Sequence, residues 1–253
     1  ARKLKSYEVE TNWYQSYGHQ CNDNCRVPRL IDSWEDRGEK FILLEDLNES
    51  GFPLRKSNLT MQEIHSCLKW LANFHATFLS VSPKNLWEVG TYWHLETRPD
   101  EFEEMKESAL KNAAQQIDDR LSSCSFSTFV HGDAKVANFC FGETSEIVAA
   151  VDFQYVGGGC GMKDVAYFLG SVLGEEELEL LEDEFLTAYF KFLRKAVEEK
   201  HKDFVYPLLE AEWRELYPLA WADFTRFLLG WMPTHKKLNR YSEKMVEMAL
   251  DLS

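Results

Sequence analysis

Apolar residues near the start of the chain return at mostly three- and four-residue intervals: Leu4, Tyr7, Trp13, Tyr14 and Tyr17. That period predicts an amphipathic helix over residues 2–17, ended by Gly18 and followed by a polar loop through Asn24. Two short β-like runs come next, Val27 to Trp34 and Lys40 to Leu44, with Glu35-Asp36-Arg37-Gly38-Glu39 as the turn. A polar link over residues 45–51 leads out of them. From residue 60 the period becomes helical. Thr60 and Glu63 stand at capping-box spacing ahead of a stripe made by Ile64, Leu68, Leu71, Phe74 and Phe78. Further helices are predicted at 100–121, 163–173, 175–199 and 203–229, and a last one after Tyr241. Between 126 and 156 the pattern turns β-like in two pieces, Thr128 to Val130 and Ile147 to Val151. No internal repeat or low-complexity linker interrupts this order. The pattern therefore predicts an α+β chain with a small sheet-bearing start and a large helical remainder.

Composition narrows the function classes. The 253 residues are 45% hydrophobic, enough for one large domain or two smaller ones. Lys plus Arg number 28 against 42 Asp plus Glu, a formal net charge of −14. That balance argues against nucleic acid as the main partner, because a phosphate backbone needs clustered cations. It leaves ATP open, since a metal ion and a few local donors can meet three phosphates. No run of 18 uncharged apolar residues occurs, so a membrane span is not expected, and Ala1-Arg2-Lys3-Leu4-Lys5 does not read as a signal peptide. Six cysteines are spread thinly, which points to a reduced, cytoplasmic protein. His19, Cys21 and Cys25 lack a second ligand pair at finger-like spacing and read as a histidine and free thiols on a polar loop.

The densest polar cluster is Val130-His131-Gly132-Asp133-Ala134-Lys135-Val136-Ala137-Asn138-Phe139, set between hydrophobic pieces. Asp152 follows 14 residues after Asn138, at the end of the run 147–151. An acid on a loop, an amide five residues on and a second acid after a short hairpin can converge on one point. Phosphoryl transfer suits such a set, because it needs positioning and charge neutralisation more than covalent chemistry. One carboxylate orients the attacking hydroxyl and takes its proton, while the amide oxygen and the second carboxylate hold magnesium, which prefers oxygen ligands. Asp and Asn also cap turns and tight loops. Capping alone does not account for all of these residues in this order.

His131-x-Asp133-x-Lys135-x-x-Asn138 resembles the protein-kinase catalytic loop, and Asp152-Phe153-Gln154 stands where those enzymes carry Asp-Phe-Gly. Gly132 and Gln154 look more like the small-molecule branch: aminoglycoside phosphotransferases, choline and ethanolamine kinases, and the ecdysteroid-kinase-like (CHK kinase-like) group. The resemblance implies a protein-kinase-like fold with ATP and Mg2+ as cofactors. Asp133 would be the catalytic base, Lys135 would lie near the transferred phosphate and His131 would brace the loop. Asn138 and Asp152 would be the magnesium ligands. It further implies that Phe41 to Leu47 forms a fifth strand and hinge, whose backbone at Glu45, Asp46 and Leu47 would bond adenine. The first helix would be helix C, with Glu10 the partner of an ATP-binding lysine, and Asp164 would steady the segment after the metal motif. His75 is expected to be a packing histidine. Gly157 to Gly161 lacks phosphate-loop spacing and is expected to be a short flexible loop. The acidic run 175–184 is expected to be a solvated helix face.

The chain starts directly in this helix, without a preceding Gly-rich hairpin or strand lysine. A fragment of a longer kinase is therefore expected in preference to a naturally shortened relative, with weak or absent catalysis by this exact chain. Residues 1–47 would form a partial N-terminal lobe and 48–253 a helical C-terminal lobe holding the catalytic loop and acceptor pocket. Within 213–231, Trp213, Tyr217, Trp221, Phe224, Phe227 and Trp231 alternate with Glu212, Glu215, Asp223 and Arg226. At helical spacing these rings are first of all core. Rings beside carboxylates could also hold an ammonium group, which makes an amino-alcohol a candidate acceptor. The expected function is phosphorylation of a small-molecule hydroxyl. The alternatives are a catalytically inactive kinase-fold binding protein and, more remotely, a protein kinase.

Overall fold

The computed structural model describes residues 2–144 and 146–252. In chain order the elements are α1 (Arg2–Ser16), β1 (Leu30–Asp36), β2 (Glu39–Leu44), α2 (Met61–Thr77), β3 (Trp87–Val89), α3 (Pro99–Glu104) and α4 (Ala109–Ser122). There follow β4 (Thr128–Val130), β5 (Phe139–Phe141), β6 (Val148–Ala150), β7 (Gly157–Gly159), α5 (Met162–Val172), α6 (Glu175–Lys200), α7 (Tyr206–Trp231) and α8 (Arg240–Leu252). The protein is α+β and mostly helical, as the periodicity predicts.

α1 buries Val9, Trp13 and Tyr14, but Leu4 and Tyr7, placed on the same stripe by spacing alone, are 73% and 44% exposed. β1 and β2 pair antiparallel around a two-residue turn, Arg37 (φ 51°) and Gly38 (φ 81°), whose positive angles match the twist of a hairpin. β1 starts at Leu30 rather than Val27, because Pro28 offers no amide hydrogen to a ladder. The capping box of α2 forms as its spacing predicts. Thr60 Oγ1 accepts from the Glu63 amide (3.3 Å), and the Glu63 carboxylate accepts from the Thr60 amide (2.8 Å). α2 packs mainly against α6, and α7 against α4, α5 and α8. The exposed acidic start of α6 agrees with a solvated face.

Two expectations are corrected. The single helix over 100–121 is two helices, because Met105 turns extended and Ser108 caps a new start by accepting from the Lys111 amide (3.2 Å). The glycine run is not a flexible loop. Gly157–Gly159 is the central strand of a three-stranded sheet, parallel to β3 and antiparallel to β4. Absence of side chains is what admits it: a Cβ on Gly157 would lie 2.3 Å from the Trp87 carbonyl oxygen. A Cβ on Gly159 would instead meet Val130 no closer than 3.4 Å. Gly157→Ala should thus lower unfolding free energy by about 1–3 kcal/mol through overpacking, while Gly159→Ala costs less than about 1 kcal/mol. Urea denaturation of the two variants side by side measures the contrast.

Candidate active site

Strand β4 delivers residues 131–138 to the end of the helical lobe, and a buried carboxylate fixes where they go. Asp164, in the first turn of α5, accepts from the amides of His131 (2.6 Å) and Gly132 (3.0 Å). Gly132 has φ 79°, and a Cβ there would lie 2.1 Å from the Tyr155 carbonyl oxygen, so only glycine fits. His75 Nε2 lies 3.1 Å from Asp164 Oδ2, and its Nδ1 lies 2.7 Å from the Tyr189 hydroxyl. Since a carboxylate only accepts, Nε2 is the nitrogen that donates to Asp164. His75 is thus a buried packing residue, as its setting suggests, and it also braces Asp164.

His131 ties this loop to the segment after β6. Its Nε2 donates to the Val151 carbonyl (3.0 Å), and its Nδ1 accepts from the Asp133 amide (3.3 Å). Asp133 Oδ2 accepts from Lys135 Nζ (2.6 Å) and from Asn138 Nδ2 (3.1 Å), the same amide nitrogen also donating to the Asp133 carbonyl (2.8 Å). Asp133 Oδ1 is buried and meets no donor at hydrogen-bond geometry among the described residues, although the Tyr167 hydroxyl lies near enough to the carboxylate for Asp133 to help push that phenol's pKa up. Burial raises the Asp133 pKa above the ordinary carboxylate value; Lys135 and His131 oppose the rise and Asp152 adds to it.

The β5–β6 hairpin brings the second acid to the first. Phe139 pairs with Ala150, and the Val151 amide donates to the Asn138 carbonyl (3.0 Å), so Asn138 and Asp152 leave the same end of the ladder. Asp152 has φ 68°, held by its neighbour Phe153. The Phe153 ring stacks on Trp13 with centroids 4.5 Å apart and tilts against His131 at 4.6 Å. With its Nδ2 turned to Asp133, Asn138 keeps its amide oxygen as an acceptor, and Asp152 supplies carboxylate oxygens. Hard oxygen donors of this kind fit magnesium. Among the described residues no group of three or more His, Cys, Asp or Glu side chains forms a complete cage, so a cation here would need further oxygens from a bound phosphate.

Glu10 reaches this end from α1. Its carboxylate accepts from the Phe153 amide (3.1 Å). Burial first, then the Asp152 charge, raise its pKa to about 7. Among the described residues it has no lysine partner. The side chain of Glu45 is a clamp rather than an open ligand: Arg26 donates to both of its oxygens (2.6 Å each) and the Arg29 amide to one (3.0 Å). The Glu45 amide already donates to the Arg29 carbonyl (2.9 Å), and the Leu47 carbonyl accepts from the Phe52 amide (2.8 Å). Asp46 Oδ1 accepts from the Asn48 amide (2.8 Å) in a local turn. The Leu47 amide is bonded to no group among the described residues.

Asp133 also opens onto a cleft of about 390 Å³, walled by Tyr92, Tyr155, Tyr167, Phe224 and Trp231 and rimmed by Lys135 and Lys237. Only Phe224 and Trp231 of the α7 aromatic set reach it; Trp213, Tyr217, Trp221 and Phe227 are buried. The acids of α7 face elsewhere. Glu212 accepts from the Ser125 and Phe126 amides, Glu215 pairs with Arg120, and Asp223 is buried with Arg226, Lys163 and the Trp93 indole. Sequence reasoning missed Tyr92, Tyr155, Tyr167 and Lys237. Nothing in local spacing sets these four apart from core or loop residues.

A loop acid backed by an amide and a second acid, beside a ring-lined cleft, defines the class of protein-kinase-like small-molecule phosphotransferases. A profile of the ecdysteroid kinase-like family matches residues 2–87 and 88–201, and the chain belongs to that family. No protein of curated function matches it. Among solved structures it is similar to a microcompartment-associated aminopropanol kinase, with 14% identity and a TM-score of 0.53 over 97% of this chain and 78% of that one. It is also similar to an amicoumacin kinase determined in complex with AMP-PNP, Ca2+ and Ami, with 15% identity and a TM-score of 0.55 over 98% of this chain and 76% of that one. The fold is thus the kinase-like one, mixed α+β and mostly helical. Among the described residues no helix is long and apolar enough to cross a membrane.

The Glu10 carboxyl gives a pH test. A pKa raised from 4.5 to about 7 on folding means that stability present below pH 4.5 is lost as pH rises through 7. In metal-free buffer, Glu10→Gln keeps an acceptor for Phe153 without the charge. It should therefore stabilise the protein at pH 8 by on the order of 3 kcal/mol, with little change at pH 4.5. Melting temperatures at the two pH values measure it.

Proposed function

We propose that this protein is an ATP- and magnesium-dependent kinase of a small-molecule hydroxyl, with Asp133 as the base. The observation that carries the reading is the Asp133 carboxylate at the edge of the cleft: one oxygen is held by Lys135 and Asn138, and the other is buried, with the Tyr167 hydroxyl the polar group near the carboxylate. An acceptor hydroxyl donating to that second oxygen would be oriented for attack. Its oxygen forms the new bond to the γ-phosphorus as the bond to the ADP oxygen breaks, and its proton passes to Asp133. A raised carboxylate pKa makes Asp133 a better proton acceptor than a solvated aspartate.

Lys135 would offset charge on the transferred phosphoryl group, and His131 would keep the loop aligned with the Asp152 segment. Asn138 and Asp152 would hold magnesium, which when bound neutralises phosphate charge. The backbone of Glu45, Asp46 and Leu47 would receive adenine, with the Leu47 amide the open donor, and Glu10 would lie at the phosphate end of the nucleotide site. The lobes would meet between residues 47 and 48.

For the acceptor we favour a hydroxyl compound with an apolar or aromatic body. An amino-alcohol is supported by the name of the aminopropanol kinase. Its ammonium group would find rings here, but the only cleft carboxylate among the described residues is Asp133. The second reading is a kinase-fold binding protein without turnover.

Asp133→Asn should lower phosphotransfer from γ-labelled ATP by about 10²–10⁴-fold while magnesium–ATP affinity is retained. Equal rates in variant and wild type would remove Asp133 as base. No transfer by wild type to any member of an alcohol panel, with nucleotide still bound, would select the second reading. Asp152→Ala should abolish the thermal shift produced by ATP with magnesium; a full shift in that variant would remove Asp152 from the metal site.

A further inference from the structure

Transferring a phosphoryl group does not by itself require the charge pattern of the cleft beside Asp133. Lys237 lies on the segment 232–239 between α7 and α8. Its ammonium sits 4.9 Å from the Tyr167 ring centroid and 5.2 Å from that of Phe224. No carboxylate pairs with it, and its Nζ makes no hydrogen bond among the described residues. A lysine that is not paired usually extends into water, yet this one lies among rings. Burial, then Lys236, push its pKa down to about 8, with Asp133 opposing and Lys135 adding to the fall. The other basic groups at the rim are Lys135, whose Nζ is already bonded to Asp133, and His235.

Neither the hinge residues 45–47 nor Asn138 and Asp152 line this cleft. A cation held there therefore faces the acceptor's body rather than the nucleotide. The acids of α7 that could have attracted an ammonium group are bonded elsewhere.

We propose that Lys237 is a specificity-determining residue that binds an anionic group on the acceptor, which makes the substrate a hydroxy acid with an apolar or aromatic body. This rests on the reading of the cleft as the acceptor site of a kinase. The acceptor's hydroxyl lies at Asp133, its body packs against the rings that line the cleft, and its oxyanion meets the ammonium. Carboxylate, sulfate and phosphate share the required chemistry.

Calorimetric titration without nucleotide tests this with three probes of one shape: 4-(hydroxymethyl)benzoate, 4-(hydroxymethyl)benzamide and 4-(aminomethyl)benzyl alcohol. The benzoate should bind about tenfold or more tighter than the other two, the difference expected of one charge-assisted contact. Lys237→Gln should erase that preference and leave the benzamide affinity unchanged, which also reports that the variant is folded. Lys236→Gln, changing an exposed neighbouring charge, should alter benzoate binding by less than about twofold. Four results would overturn the assignment: no benzoate binding, equal or tighter amine binding, undiminished benzoate binding in Lys237→Gln, or an equal loss in Lys236→Gln. The sources of the anion are separated by repeating the titration with 4-(hydroxymethyl)phenyl phosphate and 4-(hydroxymethyl)benzenesulfonate. The tightest of the three names the headgroup, and a series in which none depends on Lys237 again overturns the assignment. Because nucleotide is absent, failure here leaves magnesium–ATP binding, and its loss in Asp152→Ala, untouched; the two readings fail separately.

Discussion

Two backbone amides of the loop that carries Asp133 end on the carboxylate of Asp164, and the position of the whole site follows from that contact. A fully buried carboxylate is costly unless its lone pairs are met. Asp164 meets them with the His131 and Gly132 amides and the His75 imidazole, and it lies in the first turn of α5, where the helix dipole favours negative charge. His75 comes from α2 and is held in turn by Tyr189 of α6. The packing of α2 on α6 therefore reaches the loop that carries Asp133 through a continuous chain of hydrogen bonds. Any loosening of those two helices would be felt at Asp133 before any residue of the site itself had changed.

The Asp152 end of the site is organised by apolar contact instead. Phe153 lies among Trp13, Trp70 and Phe74, rings from α1 and α2, and against His131. That burial fixes the residue following Asp152, so the acid can keep a left-handed backbone angle that an aspartate in an open loop would seldom hold. Glu10 then accepts from the Phe153 amide and sits close enough to Asp152 for each charge to be felt by the other. Packing and electrostatics are coupled there: the same ring that orders Asp152 also brings a second carboxyl beside it.

Residues 131–138 and 152–154 were legible in the sequence because their chemistry is contiguous and their spacing is set by one loop and one hairpin. Thr60 and Glu63 were legible for the same reason. The break between α3 and α4 was not, since it depends on Ser108 capping a new helix inside an otherwise helical pattern. Nor was the role of Gly157 to Gly159, where the absence of side chains admits close strands as readily as it permits a flexible loop. The cleft beside Asp133 was the least visible part. Tyr92, Tyr155, Tyr167, Phe224 and Lys237 come from five separate stretches and meet only through tertiary packing. Asp223 shows the converse: its place among aromatic residues looked like part of a binding face, but burial with Arg226 and Lys163 makes it a core ion pair. Burial alone would raise its pKa, and those two cations hold it below the ordinary value.

Arg26 has a mechanical role that follows from how many elements it fastens. Its carbonyl accepts from both the Trp70 indole (2.9 Å) and the Ala150 amide (3.0 Å), and its guanidinium grips Glu45. The root of the β1–β2 hairpin is thereby riveted to α2 and β6 at a single residue. Any displacement of the hairpin that starts upstream of Arg26 would break both bonds to its carbonyl together.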